Sequence, residues 1–462
     1  MESAEPESRM RAEALEVART LRAAGHQALF CGGAVRDRFL QRAVSDYDIA
    51  TSATPEQGLE LFPEAVAVGA QFGVLVLPRP GGDIEVATFR DDGLYVDGRR
   101  PEGVQYSDPP RDAQRRDFTV NGLFEDPETG AIQDHVGGLE DLERRMLRAI
   151  GDPAARFRED HLRILRAVRF AVQLDFAIEP ATWRAVRELA PLVADVSAER
   201  IRQELIKIVR HGRGAGLRLL RDAGLLPHVL PELEVMQGVT QPAIYHPEGD
   251  VFVHTCLVVD HVQFPEGVDP AGEDARDLLF AAVLHDIAKP PTRTVDPDGR
   301  IRFNGHDVLG VDMAAAVLER LRFPRKSIDR IGALIRAHIM IASTPKMRTS
   351  KLRRFLAQDD IELHLALHAA DCAASHGFED ILLFLRERLA AYANEPVLPP
   401  PLLKGKDLID LGYPAGPAMG TILRWVQDEQ LEGRLADRDA AVRRVRVEFP
   451  NPDGEQPGDG ST

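Results

Sequence analysis

The first third of the chain alternates helix-like segments with short apolar runs. The runs HQALF (26–30), FGVLVL (72–77) and DIEVATF (83–89) are bounded by Gly, Pro and Asp, as is typical of strands in a small sheet. A polar stretch rich in Gly and Pro, residues 91–112, predicts a mobile loop. From about Arg144 the pattern becomes helical and stays so. The chain therefore predicts an α+β fold, in which a small mixed-sheet domain precedes mostly helical regions.

Changes in composition divide the chain into five predicted segments. A second helical block carries most of the histidines, the proline-rich stretch VLPPPL follows it, and the last dozen residues have no apolar content to bury. The segments are a head (1–145), a helical neck (146–234), a histidine-bearing helical block (235–395), a C-terminal helical segment (396–450) and a disordered tail (451–462).

The charge is unevenly distributed. The 462 residues are 44% apolar and 28% charged, which excludes wholesale disorder, and the formal net charge is −16. That balance argues against a protein that coats nucleic acid through its overall field. Residues 144–221 nevertheless hold 16 Arg and 1 Lys against 9 acidic residues, a local net charge of +8. We therefore expect any nucleic-acid contact to be local to this segment.

The three cysteines, Cys31, Cys256 and Cys372, are far apart and form no CxxC pair. This spacing argues against a disulfide framework or a zinc ribbon and favours the reducing cytoplasm. The chain begins with an acidic segment rather than a secretion signal, and no run approaches the ~18 apolar residues of a membrane span. We expect a cytoplasmic protein without a membrane partner.

The first candidate site combines a glycine pair with two carboxylates. Gly32 and Gly33 lie between a predicted strand and a predicted helix, where backbone N–H groups can approach a phosphate. Asp46 and Asp48 flank Tyr47, and on a strand both carboxylates would share one face. Such a pair suits Mg²⁺, which prefers oxygen ligands. Either fragment alone is more often an ordinary turn or a solvated acidic pair.

A second candidate is the basic segment EDHLRILRAVRF. On a helix Asp160 and Arg163 would share a face, which Arg166 and Arg169 continue. The plain alternative is a surface pair such as Glu159–Arg163, which contributes little to stability. A buried carboxylate–guanidinium pair would instead offer the acceptors and donors that a nucleobase edge requires.

A third candidate consists of histidines and aspartates spread over predicted helices. In chain order they are His254, His285, Asp286, His306, His338 and Asp371. Imidazole and carboxylate groups together suit a divalent transition metal, and helices can bring such residues together from distant positions. A lone buried histidine is more often a satisfied core residue, so the pattern matters more than any single member.

Five sequence blocks occur in a recognisable order: GGAVRD, DYDIAT, RRDFTVN, EDHLRILRAVRF and ERIRQEL. Together they resemble the bacterial-type (class II) tRNA nucleotidyltransferase and poly(A) polymerase family over about residues 1–230. The resemblance implies a polymerase-β-like catalytic head and a helical neck. It also implies an enzyme that adds nucleotides to an RNA 3′ end without a template.

The resemblance assigns catalytic and metal-binding roles to acidic residues of the head. Asp46 and Asp48 would bind Mg²⁺. Glu85, in DIEVATF, is the candidate for a third carboxylate, on the basis of its position on a neighbouring strand. The 3′-hydroxyl of the RNA would attack the α-phosphate, pyrophosphate would leave, and positioning with charge neutralisation would supply most of the acceleration.

A set of glycine, basic and polar residues is predicted to bind the nucleotide. Its members are Gly32, Gly33, Arg36, Arg116, Asp117, Asn121, Asp160, Arg163, Arg166 and Arg169. The resemblance implies that the two glycines and Arg36 hold the triphosphate and that Asp117 lies near the ribose. Asp160 and Arg163 would hydrogen-bond the base of CTP or ATP.

The histidine-bearing block resembles the HD phosphohydrolase superfamily, in which a His-Asp doublet holds metal. The resemblance implies a first metal site made of His254, His285, Asp286 and Asp371. His306 and His338 match positions that complete a two-metal version. A metal-bound hydroxide could then hydrolyse phosphoesters, such as a 2′,3′-cyclic phosphate at a damaged RNA end. The identity of this second divalent metal stays open.

The predicted function is addition of CCA, from CTP and ATP, to tRNA 3′ ends. Addition of A alone and poly(A) tailing are alternatives within the family, although VGAQFGVLVL (68–77) resembles the tRNA-directed members more closely. An alternative of another class is an HD phosphohydrolase with an inactive transferase head. The sequence shows no coiled-coil heptads that would indicate an oligomeric state.

Overall fold

The computed structural model describes residues 4–44, 46–68, 73–92, 104–375, 377–392 and 396–450. These residues form two compact units, one up to Val235 with Val317–Phe323, the other comprising the remainder from Met236. The prediction of an α+β fold with a mixed-sheet head and helical regions beyond it is confirmed. The predicted disordered tail, 451–462, lies outside the described residues. No helix among the described residues is both long enough and apolar enough to cross a bilayer.

Before Met236 the described part of the chain combines helices with one seven-stranded sheet and two two-stranded sheets. Its helices are α1 (Ala4–Ala23), α2 (Gly33–Phe39), α3 (Pro55–Leu61), α4 (Pro109–Gln114), α5 (Gly138–Glu143), α6 (Pro153–Glu159), α7 (Leu162–Leu174), α8 (Pro180–Leu189), α9 (Ala198–Asp222), α10 (Leu226–Val229) and α11 (Pro231–Glu234), with 3₁₀ turns at Thr119–Asn121 and Ala190–Asp195. Its strands are β1 (Ala28–Cys31), β2 (Asp48–Thr51), β3 (Val66–Ala67), β4 (Val74–Leu77), β5 (Ile84–Thr88), β6 (Arg90–Asp92), β7 (Val104–Tyr106), β8 (Leu123–Glu125), β9 (Ile132–Asp134), β10 (Met146–Leu147) and β11 (Ala177–Ile178).

The rest of the chain is helical with one short hairpin. Its elements are α12 (Val251–His261), α13 (Glu273–Leu284), α14 (Lys289–Thr292), β12 (Thr294–Val295), β13 (Ile301–Arg302), α15 (His306–Arg320), α16 (Arg325–Ile341), a 3₁₀ turn at Thr344–Lys346, α17 (Thr349–Leu356), α18 (Ile361–Ala374), α19 (Asp380–Ala391), α20 (Gly405–Asp410), α21 (Pro417–Leu431) and α22 (Arg438–Glu448).

The head is built on a seven-stranded mixed sheet in the order β3-β4-β5-β2-β1-β8-β9. Strand β2 pairs antiparallel with β1 and parallel with β5. In that register Asp48 lies opposite both Cys31 and Glu85. Titratable side chains from three neighbouring strands are therefore aligned across the sheet. The strands are short and apolar on their buried side, and the side chains of Phe30 and Ile49 are fully buried.

Two expectations about regular structure were wrong in part. Residues 91–112 were expected to form a mobile loop, but β6 and β7 pair as a hairpin and α4 follows them. Residues 93–103 of that stretch lie outside the described residues. The helical pattern after Arg144 is also interrupted, because β10 and β11 pair in parallel. Two-residue strands leave no periodic signal, which explains why the sequence did not reveal them.

Helices α7 and α9 pack closely and carry the arginine-rich segment. The two helices are in contact, and Ile164 and Val168 of α7 and Leu205 and Ile208 of α9 are buried. Gly212 allows the close approach, because a Cβ there would lie 2.8 Å from Val172 side-chain atoms. This apolar packing fixes the helix rotations and leaves the polar faces of α7 and α9 to line a cavity.

Candidate functional sites

Gly32 connects β1 to α2 and adopts a φ of 68°. That conformation is costly for a residue with a side chain. A Cβ at Gly32 would also lie 3.3 Å from the Arg116 guanidinium and 3.8 Å from Asp48 Oδ2. The expected order of strand, glycine pair and helix is present, and the bare backbone leaves room for a ligand between these charged groups.

The two head aspartates meet at the same cavity, but not as neighbours on one strand. Asp48 is the first residue of β2, whereas Asp46 precedes the strand. The expectation that a strand alone would place both carboxylates on one face was therefore wrong. Both aspartates line the cavity. Glu85 is aligned with Asp48 on β5 but is not among the described residues that line it.

Asp48 is electrostatically strained by its acidic neighbours. Burial, followed by the charges of Asp46 and Glu85, raises the pKa of Asp48 to about 7. Concentrated negative charge of this kind is relieved either by a proton or by a divalent cation. The oxygen donors of Asp46 and Asp48 therefore fit Mg²⁺ in both charge and ligand type.

A cavity of about 880 Å³ lies beside these aspartates. Nine arginines and one lysine line it against five aspartates, so its lining is positive within a chain of net charge −16. The structure brings all ten of the predicted nucleotide-binding residues to this cavity: Gly32, Gly33, Arg36, Arg116, Asp117, Asn121, Asp160, Arg163, Arg166 and Arg169. A cleft lined by an excess of positive charge is suited to a triphosphate.

Asp117 organises one wall of the cavity. Arg166 Nε donates to Asp117 Oδ2 at 2.7 Å, and Asn121 Nδ2 donates to Asp117 Oδ1 at 3.0 Å. Burial alone would raise the pKa of Asp117, but the Arg166 charge and the Asn121 hydrogen bond hold it well below its usual range. Asp117 is thus an ionised, fully engaged carboxylate.

The arginines of the cavity are held in place by partners. Arg36 donates to Asn121 Oδ1 at 2.6 Å and to both oxygens of Asp37 at 2.8 Å. Its guanidinium carbon lies 5.4 Å from the centre of the Phe170 ring. Arg169 lies 3.9 Å from the same ring. Fixed guanidinium groups lose little entropy when they bind an anion.

Asp160 and Arg163 both reach the cavity but do not pair with each other. Asp160 lies between α6 and α7 with φ −137° and ψ 105°, so the expectation that a helix places both on one face was wrong. Asp160 Oδ2 accepts from Arg200 at 2.8 Å, and Arg163 donates to Glu159 at 2.6 Å. The Glu159–Arg163 pair considered as the plain alternative therefore exists, although Arg163 is buried.

Several lining residues were missed in the sequence. They are Arg90, Arg115, Arg200, Lys207, Arg210 and His211 among others. Arg115 and Arg200 lie inside the blocks RRDFTVN and ERIRQEL, so their motif membership was an available signal. Lys207, Arg210 and His211 reach the cavity through the packing of α9 against α7, whereas Arg90 lies on the short strand β6.

The six residues of the HD pattern converge in the second unit. His254 Nε2 lies 3.1 Å from Asp371 Oδ1, and His285 Nε2 lies 3.2 Å from Asp286 Oδ2. His306 Nε2 lies 3.5 Å from Asp286 Oδ1 and 3.2 Å from His338 Nε2. The two carboxylate oxygens of Asp286 thus face two separate histidine pairs.

Each of these four histidines is held through Nδ1. His285 donates to the Ala282 carbonyl at 2.8 Å and His306 to the Phe303 carbonyl at 2.7 Å. His338 Nδ1 donates likewise to the Ile335 carbonyl, and His254 Nδ1 to a carboxylate oxygen of Glu248. A carbonyl can only accept, so in His285, His306 and His338 the proton of the neutral ring sits on Nδ1 and the Nε2 lone pair faces the cluster. This is the arrangement that metal-binding histidines show.

The electrostatics of the HD cluster are compatible with a metal. Burial and then the neighbouring His285 lower the pKa of His338 to about 4, so this imidazole is neutral at pH 7. Burial opposes protonation of His254, but hydrogen bonds to Asp371 and Glu248 raise its pKa to about 9. A metal at His254 would release that proton, as ligand histidines do. Nitrogen and oxygen donors at these distances fit a divalent transition metal.

Family models match three successive parts of the chain. Residues 28–148 match the poly A polymerase head domain, and residues 175–236 match the probable RNA and SrmB- binding site of polymerase A. Residues 252–372 match the HD domain.

Curated relatives fall into two groups. The CCA-adding enzyme of Geobacillus kaustophilus is 45% identical over 231 residues, which are 49% of this chain and 57% of that protein, so the chain spans little more than half of its length. The A-adding tRNA nucleotidyltransferase of Deinococcus radiodurans is 34% identical over 451 residues, which are 92% of this chain and 96% of that protein.

A solved structure extends the likeness to the whole fold. The crystal structure of the Bacillus stearothermophilus CCA-adding enzyme in complex with CTP matches with a TM-score of 0.69 and 28% identity, over 95% of this chain and 98% of that one. Because a whole-length relative and the ordered head, RNA-binding and HD domains agree, the chain belongs to the class II CCA-adding enzyme family of tRNA nucleotidyltransferases.

Proposed function

We propose that this chain is a template-independent nucleotidyltransferase that adds CCA to tRNA 3′ ends from CTP and ATP. One observation carries the proposal: a single cavity combines Asp46 and Asp48 with an excess of arginines and with the base-selecting candidates Asp160 and Arg163. The structurally similar Bacillus stearothermophilus enzyme was solved with CTP, which supports a nucleotide in this cavity.

The residues of the cavity have distinct tasks in this proposal. Mg²⁺, when held by Asp46 and Asp48, supplies positive charge next to the reacting phosphate. Arg36, fixed by Asn121, neutralises the triphosphate, while the bare Gly32 backbone admits it beside the aspartates. The RNA 3′-hydroxyl attacks the α-phosphate and pyrophosphate leaves, so positioning and charge complementarity are the main contributions of the chain.

Nucleotide choice is assigned to the junction between α6 and α7. Asp160 presents acceptor oxygens and Arg163 presents donors, and both are oriented by protein partners rather than by each other. Cytosine and adenine each offer an amino donor next to a ring nitrogen acceptor. A paired acceptor and donor on the protein can therefore read either base.

Addition of A alone is the second candidate, and poly(A) tailing is the third. The A-only reading is favoured by the Deinococcus radiodurans relative, whose similarity covers nearly its full length. The matches to CCA-adding enzymes cover about half of those proteins but are higher in identity. The similarities point to both activities, so the decisive measurement is which nucleotides are incorporated.

The test is incorporation into three tRNA substrates that end before C, after one C, and after CC. Each is incubated with CTP, ATP, both or neither, and the products are sequenced. CCA on the first substrate only when both nucleotides are present supports the proposal. Extension of the CC-ending substrate alone, by a single A, would replace it with the A-adding function, and long A tails with poly(A) polymerase. No extension of any substrate leaves the alternative of an HD phosphohydrolase with an inactive head.

We further propose that the second compact unit (the HD unit), which contains nearly all of the HD domain match at residues 252–372, is a metal-dependent phosphohydrolase. Its carrying observation is the sharing of Asp286 between two histidine pairs whose Nε2 atoms all face the cluster. A 2′,3′-cyclic phosphate at an RNA end is the proposed substrate. The full chain is assayed with 2′,3′-cyclic AMP in the presence of Mn²⁺, Co²⁺ or Ni²⁺; absence of both metal binding and turnover would refute the activity.

A further inference from the structure

The loop between α11 and α12 carries a carboxylate that the predicted metal set does not include. Glu248 Oε1 accepts from His254 Nδ1 at 2.7 Å and from His246 Nδ1 at 2.9 Å. Its side chain is only 8% exposed, and among the described residues no group donates to its other oxygen, Oε2. One buried carboxylate therefore links a cluster histidine to a histidine outside the cluster.

Glu248 holds His254 in a way that differs from the other cluster histidines. In the described part of the chain, His285, His306 and His338 donate through Nδ1 to backbone carbonyls. His254 instead donates to a side chain. Removing that side chain frees the His254 ring to rotate and to place its proton on Nε2, whereas no substitution can remove a carbonyl.

His246 lies on the wall of a second cavity, of about 360 Å³. Lys289, Arg302, Phe303 and His306 also line this cavity, and His306 belongs to the metal cluster. The His246 ring packs edge-on against His254, with ring centres 4.7 Å apart. Because Glu248 occupies its Nδ1, the polar atom that His246 can offer to a ligand in the cavity is Nε2.

The chemistry of this cavity suits a phosphoester. Lys289 and Arg302 supply positive charge, and Phe303 supplies an apolar wall for a ring. Lys289 Nζ is fixed 2.7 Å from Asp286 Oδ2 and 2.6 Å from Gln241 Oε1. A phosphate placed there would lie next to the cluster on the side of His306.

We propose that Glu248 is a positioning residue that serves two histidines at once. It fixes the Nδ1–H tautomer of His254, which directs Nε2 to the metal, and it orients His246 so that Nε2 contacts the phosphate of the substrate. The proposal rests on the metal-dependent function proposed for the HD unit. The role at His254 predicts a loss of metal affinity, and the role at His246 predicts a loss of hydrolysis. Mutations can therefore test the two roles separately.

The first measurement is the affinity of the full chain for Co²⁺, by calorimetry and by the visible absorption of the bound ion. E248A is expected to weaken the affinity by about 10- to 100-fold without reducing the number of bound ions. E248Q keeps a carbonyl oxygen that can accept from the Nδ1–H groups, so its Co²⁺ affinity is expected to fall less than that of E248A. E387A, at an exposed glutamate on α19, is the matched control and should bind as the unaltered chain does.

The second measurement needs no metal. In protein labelled with ¹⁵N at the histidine rings, chemical shifts distinguish a protonated from an unprotonated ring nitrogen, and His254→Asn identifies the His254 signals by their loss. The spectra are recorded above about pH 9, where the His254 imidazole is neutral. The Nδ1–H tautomer is then expected in the unaltered chain and in E248Q. A mixture of tautomers is expected in E248A.

The third measurement is hydrolysis of bis(p-nitrophenyl) phosphate with saturating Co²⁺. H246A is expected to lower kcat/KM by about 10-fold or more while Co²⁺ affinity stays unchanged. H261A, at an exposed histidine that ends α12, is the matched control and should leave both quantities unchanged.

The outcomes separate this proposal from the function on which it rests. Unchanged Co²⁺ affinity and an unchanged tautomer in E248A would overturn the role of Glu248, and loss of a whole bound ion would make Glu248 a ligand instead. Unaltered hydrolysis in H246A would overturn the role of His246. If the unaltered chain binds no Co²⁺, the metal-dependent function fails, and a retained Nδ1–H tautomer in apo E248A would then overturn the positioning claim as well.

Discussion

In the head, five aspartates line a cavity of about 880 Å³ together with ten basic side chains, whereas the HD unit gathers four buried histidines around Asp286 and Asp371. The head is suited to bind its ligand through an excess of positive charge to which many residues contribute. The HD cluster controls it through a few atoms whose protonation is fixed by Nδ1 hydrogen bonds. Substituting one residue in the cation-rich wall of the head should therefore reduce activity only in part. Substituting one candidate metal ligand, in the head or in the HD cluster, should remove nearly all of the activity that depends on that site.

The largest expected effect is at Asp48. Asp48→Asn removes a charge that raises local negative potential beside Asp46 and Glu85, and with it a candidate Mg²⁺ ligand. Nucleotide addition should fall by at least about 10³-fold, while Co²⁺ binding by the HD unit stays intact. Asp83→Asn, at an exposed aspartate before β5, serves as the control. An active and well-folded Asp48→Asn variant would exclude this residue from the mechanism.

The converse experiment is at Asp286. Because its two oxygens face two histidine pairs, Asp286→Asn should weaken Co²⁺ binding by at least about 100-fold at both positions. Calorimetry on the full chain measures this, and nucleotide addition to tRNA should be unaffected. Asp312→Asn, on the exposed side of α15, is the matched control. Loss of Co²⁺ binding at one position, with unchanged affinity at the other, would contradict the inference that the two positions share Asp286.

A stability measurement tests the contrast between Asp117, which is paired with Arg166, and Asp48, which lies beside other carboxylates. Asp117 is buried against Arg166, so Asp117→Asn should lower the free energy of unfolding by about 3 kcal/mol at pH 7. The pKa of Asp117 is depressed in the folded chain, so its contribution is present above its ordinary value of about 4 and is lost as pH falls below it. Urea unfolding at pH 7 and at pH 3 should show the difference between variant and unaltered chain shrinking at the lower pH. A difference that grows on acidification would contradict this sign.

The smallest expected effect tests the graded behaviour of the cavity wall. Arg200→Ala removes the donor to Asp160 Oδ2 and leaves the carboxylate with the Leu162 N–H bond to Oδ1, so its orientation is less restrained. The ratio of kcat/KM for CTP to that for ATP should change by about 10-fold, because discrimination depends on how Asp160 is oriented. Arg184→Ala, on the exposed face of α8, is the control. An unchanged ratio would place base selection elsewhere in the cavity.

Much of the fold and most of the candidate sites could be predicted from the sequence. The predicted runs 26–30, 72–77 and 83–89 overlap β1, β4 and β5, because strands inside a sheet bury apolar side chains. The predicted nucleotide-binding residues came from motifs that also fix their order along the chain. Two-residue strands such as β10 and β11 were missed, since elements that short carry no period.

Local geometry was the weaker part of the prediction. Asp46 and Asp48 were expected to share a strand and Asp160 and Arg163 to share a helix, yet Asp46 precedes β2 and Asp160 precedes α7. Periodicity assigns a face only while the regular element continues. Glu248 and His246 were missed because a loop residue gives no periodic signal of what it contacts.

The sequence by itself determined the chemical inventory: the carboxylates, the arginines of residues 144–221 and the histidine–aspartate set. Only the tertiary structure decided the partners: Asp160 with Arg200, Arg163 with Glu159, and Glu248 with two histidines. The physical reason is that burial makes an ionised group depend on whichever partner packing places within hydrogen-bond distance, and that partner can lie anywhere along the chain.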